Sequence, residues 1–190
     1  MKVIAFLNKK GGSGKSTAVI GLGLYWAIQE GKKVGVLDME VEGLAASVID
    51  LVDHPNLSLW EPGEAYDYML IDTEGGIASD ELADVTAHAD HLIIPMKPSP
   101  ADVAKVMQTL DLLQSNGQAM PTSTRLLFSQ VRVIENAWKE RGAYTRDIPV
   151  KPLKAYIRLR SVYPKMLVRG WKALSRPAVE ELETLAAELR

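Results

Sequence analysis

Apolar residues along this chain fall into short continuous runs, separated by longer stretches with helical spacing, and the two kinds alternate. Val3–Leu7 (VIAFL) is uninterrupted and reads as a strand buried on both faces. Thr17–Glu30 reads as a helix closed by Gly31, the residue type that best ends one. Lys33–Leu37 (KVGVL) is a second strand running into Asp38, after which residues 39–53 start irregular and turn helical near Leu44. Asp53–Gly63, with Pro55, Asn56, Pro62 and Gly63, reads as loop with a short edge strand at Leu57–Trp60. Tyr66–Ile71 (YDYMLI) is a third core strand ending on Asp72, and Gly75-Gly76 breaks the chain before a helix over Ser79–Ala87. His91–Met96 is the next strand; Pro98-Ser99-Pro100 then opens a helix over Ala101–Ser115, apolar at Val103, Val106, Met107, Leu110 and Leu113. Arg125–Gln130 is a further strand, followed by a helix to about Arg141. The C-terminal part predicts an edge strand near Ile148, a basic helical region from about Ala155 and an amphipathic helix over Ala178–Arg190.

Short apolar strands alternating with helices predict parallel βαβ units: an α/β fold with a doubly wound, mostly parallel sheet flanked by helices. No internal repeat or linker interrupts the pattern, so residues 1–190 read as a single domain. In such sheets ligands bind beyond the carboxyl ends of the strands. Asp38, Asp72 and the segment after the first strand all lie at such ends and are expected to converge.

That segment, Lys9–Thr17 (KKGGSGKST), carries the chemistry. Gly11, Gly12 and Gly14 allow backbone conformations closed to residues with a Cβ, so successive N–H groups can turn toward an anion. The following helix start adds unpaired donors and the positive end of its dipole. Lys15 would bring a full charge to the β- and γ-phosphates, and the Ser16 hydroxyl is placed to ligate Mg²⁺. Together these make a phosphate-binding loop. Its first position departs from the common pattern, because Lys9 stands where GxxxxGK[ST] has glycine.

What remains, Lys10-Gly11-Gly12-x-Gly14-Lys15-Ser16-Thr17, resembles the deviant Walker A motif of the ParA/MinD family of ATPases. The resemblance implies a P-loop fold that takes ATP and Mg²⁺. ATP would be held by Lys10, Gly11, Gly12, Ser13, Gly14, Lys15, Ser16 and Thr17, with Lys10 reaching across a dimer to the partner's nucleotide. Asp72 resembles a Walker B carboxylate, and with Ser16 and Asp38 would surround the metal. Lys10, Lys15, Asp38 and Glu40 form the implied catalytic set. The family's switch reads Asp-x-Asp-Pro-Gln, whereas this chain has Asp38-Met39-Glu40-Val41-Glu42. Glu40 keeps the carboxylate but lengthens it by a methylene, and misplacement by about 1 Å can cost about a hundredfold in rate. Slow, partner-stimulated hydrolysis is therefore expected. Thr73-Glu74-Gly75-Gly76 resembles a second switch, and IIPMKPSPADVAK resembles the short ParF-like plasmid partition ATPases. By position in that fold, Gln130 and Pro152 would flank adenine.

Composition adds limits. Of 190 residues, 47% are hydrophobic and 24% charged, which are globular values, and there is no cysteine for a disulfide, thiolate metal site or nucleophile. The first strand starts too early for a signal peptide, and no apolar run reaches the roughly 18 residues of a spanning helix, so a cytoplasmic protein is expected. The net charge of −2 hides a segment, Ile148–Arg176, that is basic and free of carboxylates. Lys151, Lys154, Arg158, Arg160, Lys165, Arg169 and Lys172 are its candidate contacts to DNA phosphates, which would make the protein nucleoid-associated. Trp26, Trp138 and Trp171 read as packing residues, and His54, His88 and His91 lack metal-ligand spacing.

Among functions, the resemblance implies an ATP-dependent homodimer that binds DNA without sequence preference and positions plasmid or chromosomal cargo through a ParB-like or other adaptor. DTEGG and PT-x-x-R-LLFSQVRV also look like ParA-like proteins of conjugation and type IV secretion, which bring transfer DNA to the cell pole. Glu40 leaves room for a slow-hydrolysing, ATP-bound scaffold. A MinD-like membrane switch fits poorly, because Glu180, Glu181, Glu183 and Glu188 would be repelled by anionic lipid. A metabolic P-loop enzyme would need an acceptor-substrate domain that the sequence does not suggest.

Overall fold

A computed structural model describes residues 1–40, 43–77, 79–115 and 123–190. The elements run β1 (Lys2–Phe6), α1 (Lys15–Gln29), β2 (Val34–Asp38), α2 (Leu44–Val52), β3 (Leu57–Leu59), β4 (Tyr68–Asp72), α3 (Ser79–His88), β5 (His91–Met96), α4 (Pro100–Ser115) and β6 (Thr124–Val131). They continue with α5 (Asn136–Lys139), α6 (Arg141–Thr145), β7 (Pro152–Arg158), α7 (Val162–Arg169), a 3-10 helix (Gly170–Ala173) and α8 (Arg176–Glu188). All seven strands join one parallel sheet in the order β3-β2-β4-β1-β5-β6-β7. The chain leaves central β1 in one direction to build β2 and β3, then reverses to build β5, β6 and β7. The loop after β1 therefore opens at the topological switch point, where a crevice forms.

Each face of the sheet buries its own apolar cluster. On one side Ile4, Phe6, Val34, Val36 and Leu70 meet α1, α2, α7 and α8; on the other Ala5, Leu7, Ile71, Leu92 and Ile94 meet α3 and α4. Strands buried on both faces have no polar face to show, which is why they read as continuous apolar runs. α1 is apolar over most of its surface because α8 covers its outer side. Gly21 is the close approach, since a Cβ there would sit 2.8 Å from Leu182 of α8. Trp26 is fully buried and stacks on Tyr68 with ring centroids 3.9 Å apart, as packing.

The C-terminal expectations need correction. Ile148 is buried but lies outside every strand, and the edge strand is Pro152–Arg158. Ala155 sits inside that strand rather than opening a helix, and the basic helix begins only at Val162. In PLKAYIR, Leu153, Ala155 and Ile157 are buried while Lys154 is exposed and Tyr156 and Arg158 are partly covered. That period of two marks a half-covered strand, and the alternating cations hid it.

α8 also changes the electrostatics of the basic segment. Glu188 accepts the backbone N–H groups of Lys154 and Ala155 (3.0 and 2.6 Å), and Glu181 accepts that of Arg158 (3.1 Å). Two carboxylates thus occupy donors along the free edge of β7, where another strand could otherwise pair.

Candidate nucleotide site

The carboxyl ends of β1, β2 and β4 converge as expected. Phe6 is the register partner of Asp72, and Asp72 that of Asp38. Between them lies the phosphate-binding loop, with Gly12 at φ 70° and Gly14 at φ 98°, a region that favours glycine. Gly14 caps α1 in that conformation and packs on β6, since a Cβ there would meet Ser129 at 3.2 Å. The Ser129 hydroxyl donates to the Ser13 carbonyl, and Gln130 Nε2 donates to the Gly12 carbonyl at 2.7 Å. Gln130 does so from φ 51°, a left-handed conformation uncommon for a residue with a side chain.

Lys15 is buried, with 6% of its surface exposed, and its ammonium donates to the Asn8 carbonyl over a long 3.4 Å. A cation taken from water with one weak acceptor lacks the compensation burial demands, and an oxyanion in the loop would supply it. Asp72 presents the opposite need. It is 3% exposed; burial pushes its carboxyl up to about 6, opposed by the Ser16 hydroxyl hydrogen bond and helped by the nearby Asp38 charge. Its Oδ1 has no hydrogen-bond partner among the described residues. A buried, unpaired carboxylate oxygen beside a serine hydroxyl fits Mg²⁺ and its water shell. Asp72 and Ser16 are the groups that would hold the metal, and bound Mg²⁺ would neutralise charge on the phosphates.

Asp38 is turned elsewhere. Its carboxylate accepts the N–H groups of Glu40 (3.1 Å) and Ala46 (3.0 Å), satisfying the N-terminus of α2. Gly43 makes that approach possible, because a Cβ there would fall 2.0 Å from the Asp38 carboxylate. Asp38 therefore acts here as a helix cap, at the sheet edge next to Asp72. Glu40 is exposed, and Val41 and Glu42 lie outside the described residues. The Thr73-Gly76 loop leans on the phosphate loop: the Thr73 hydroxyl donates to the Phe6 carbonyl at 2.8 Å, and a Cβ on Gly75 would meet the Lys9 carbonyl at 3.4 Å.

Lys10 is held within its own subunit. Its ammonium pairs with Asp102 Oδ2 at 2.8 Å, and the Asp102 side chain is only 2% exposed. Ser99 Oγ donates to the same oxygen at 2.6 Å, the Lys97 N–H reaches Oδ1 at 3.3 Å, and the Asp102 N–H donates back to Ser99 Oγ at 3.2 Å. Burial raises the Asp102 carboxyl, but the Lys10, Ser99 and Lys97 hydrogen bonds outweigh it and leave it below the usual carboxylate range. Sequence reasoning missed Asp102 and Asn8. The signal for Asp102 was present as Ser99-x-x-Asp102, a capping pair at the start of α4.

Two other groups need correction. Pro152 opens β7 opposite Leu126, toward the amino ends of the strands, and so lies away from the phosphate loop. A parallel edge strand starts at the far side of the sheet from the ligand crevice. The wall beyond the loop is made instead by Thr17, Gln130, Arg158, Arg160 and Pro164, around a cavity of about 220 Å³. The seven basic residues do not form one face. Glu181 pairs with Arg160 at 2.8 Å, lies 3.6 Å from Arg158, and accepts the Tyr163 hydroxyl at 2.8 Å. Lys165, Arg169 and Lys172 are exposed on α7 and the 3-10 helix and carry no ion pair among the described residues, while Lys151 and Lys154 are exposed at the start of β7.

Residues 1–59 match the family model described as an AAA domain. The chain is 28% identical over 197 residues to Maintenance of carboxysome distribution protein A of Gloeobacter kilaueensis, covering 97% of this chain and 84% of that one. It is 27% identical to Protein virC1 of Rhizobium radiobacter over 90% and 82% of the two chains. The MinD of an Aquifex aeolicus MinC:MinD cell division complex shares the fold, at a TM-score of 0.77 and 18% identity over 100% of this chain and 96% of that one. Solved structures on this fold hold AMPPNP, ATP and Mg-ADP. The glycines of the phosphate loop lie inside the segment that matches the AAA-domain model, and the chain as a whole has the P-loop fold of the ParA and MinD structures.

Proposed function

We propose that residues 1–190 act as one ParA-type positioning ATPase that switches between a nucleotide-poor monomer and an ATP-sandwich dimer. The observation that carries this reading is the pair of unmet needs at the crevice, the buried Lys15 ammonium and the unpaired Asp72 oxygen. Lys15 and the loop N–H groups would hold the β- and γ-phosphates, with Thr17 and Gln130 toward the nucleoside. Lys10 would leave Asp102 and cross to the partner's phosphates. Glu40 would orient the attacking water, with Asp38 setting the path of its loop; the extra methylene supports slow turnover that a partner accelerates. ATP-bound dimers would bind DNA without sequence preference in the cytoplasm, at the nucleoid, and a cargo adaptor would trigger release.

The carboxysome-distribution relative supports positioning as the class of task. The segments DTEGG and PT-x-x-R-LLFSQVRV, which look like ParA-like proteins of conjugation and type IV secretion, favour a second reading, in which the same switch serves transfer of DNA between cells. Binding to a nonspecific duplex, with ADP and then with ATP, tests the first. Binding that needs ATP, falls with salt and vanishes in Lys10→Ala is expected; equal binding in both nucleotide states would refute the switch.

A further inference from the structure

A second concave site lies on the far part of the sheet from the phosphate loop. Pro152, Lys154 and Tyr156 of β7 share one side of that strand, whose other side α8 covers. The helices on the first side, α5 and α6, have only four and five residues, too short to cover it. Between them and the sheet remains an open cavity of about 490 Å³, within the usual size of a small-molecule site.

Its lining combines three rings, Phe128, Trp138 and Tyr156, with three cations, Lys139, Arg141 and Lys154, and contains no carboxylate. Arg141 is fixed in advance: its guanidinium lies 4.0 Å over the Trp138 ring, and one of its N–H groups donates to the Trp138 carbonyl at 2.9 Å. An arginine held over a ring and by one hydrogen bond keeps its remaining N–H groups for a paired oxyanion and loses little entropy when one binds. Lys139 and Lys154 are exposed, and neither has an ion pair among the described residues. Tyr156 packs 4.5 Å from Trp138 and Phe128 meets Trp138 edge-on at 5.6 Å, so the wall is rigid, and Tyr156 and Trp138 are both only partly covered. An inorganic anion would use the cations and leave the rings wet. An apolar peptide would cover the rings and strand the charges. A phosphate ester carrying a planar base satisfies both.

We propose that this cavity binds a nucleotide unit, the phosphate on Arg141 with Lys139 and Lys154, the base against Tyr156. Such units come free or as steps of a single strand, for which aromatic platforms beside cations are the recurring solution. The site is separate from the ATP crevice and stands whether or not the chain is a positioning ATPase.

The test uses the full chain carrying Lys15→Ala, which removes phosphate-loop binding, and fluorescein-labelled oligo(dT) of about twelve nucleotides followed by anisotropy. Binding that weakens with salt is expected, with affinity roughly tenfold lower in Lys139→Gln/Lys154→Gln and in Arg141→Gln. Tyr156→Leu should weaken binding while Tyr156→Phe keeps it, a split that charge alone does not produce. AMP that displaces the oligonucleotide assigns the site to single nucleotides; AMP that fails to displace it assigns the site to strands. Either result supports the proposal. It is overturned if neither oligo(dT) nor AMP binds. It is overturned equally if the Lys139, Lys154 and Arg141 variants bind like the parent while a Lys165→Ala/Arg169→Ala/Lys172→Ala variant does not.

Discussion

Two carboxylates decide the behaviour of the crevice, and their environments push them apart. Asp72 is buried, partly unpaired and raised to about 6, so the folded chain retains a proton that the unfolded chain has already lost near pH 4. Because the raised group is an acid, its contribution favours the fold at low pH and is withdrawn as pH climbs through about 6, by about 3 kcal/mol at most. Bound Mg²⁺ would take the place of that proton. Magnesium should therefore raise the melting temperature of the ADP complex much more at about pH 7.5 than at about pH 5. An equal shift at both would place the metal away from Asp72. Asp102 runs the other way, held ionised by Lys10 and its neighbours. The same pair restrains the lysine proposed to serve the partner. Asp102→Asn keeps a polar group at the start of α4 but drops the charge, and should tighten ATP-analogue-dependent dimerisation several-fold in sedimentation equilibrium. A weaker or unchanged dimer would mean that the pair is not in the way.

At the scale of elements, α8 closes the sheet with carboxylates as well as with apolar contacts. Glu188 accepts two backbone donors at the edge of β7, whereas Glu181 neutralises Arg160, lies beside Arg158 and accepts Tyr163. Burial, followed by the Glu181 charge and hydrogen bond, pushes the Tyr163 hydroxyl far above its usual range, so it stays a donor. Glu188→Ala should cost about 1–2 kcal/mol and raise self-association through β7, read by thermal melting and light scattering. Glu181→Ala should cost more, roughly 3 kcal/mol, because it strands partly covered cations. The reverse order would mean that edge protection outweighs the ion pairs.

Over the whole molecule, the chain is close to neutral, yet Lys151, Lys154, Lys165, Arg169 and Lys172, on α7, the 3-10 helix and the start of β7, are exposed and carry no ion pair among the described residues. The nucleotide crevice and these five basic residues therefore occupy different parts of the fold, and ATP would couple them through a change in assembly. Lys165→Ala/Arg169→Ala/Lys172→Ala should weaken ATP-dependent DNA binding and flatten its salt dependence, by a slope of about 2–3. Arg158→Ala/Arg160→Ala should instead lower the melting temperature. A loss of DNA binding confined to the second variant would return DNA to the crevice side.

The phosphate loop was legible because it is local. A strand, three glycines and a lysine-serine pair specify their own conformation and place Lys15 and Ser16 whatever lies around them. The core strands were legible for the same reason, since burial on both faces leaves an unbroken apolar run. The boundaries near β7 were not, because alternating cations there imitate a solvated helix and only pairing with β6 fixes them as a strand. Partnership across the chain was hidden altogether. That Lys10 meets Asp102, that Asp38 caps α2, that Glu181 takes up Arg160, and that Pro152 sits at the wrong end of the sheet for adenine all depend on contacts between distant segments. Sequence alone determined which chemistry the chain carries; tertiary structure decided which charges are free to use it, because ion pairing depends on distance in space and not on order along the chain.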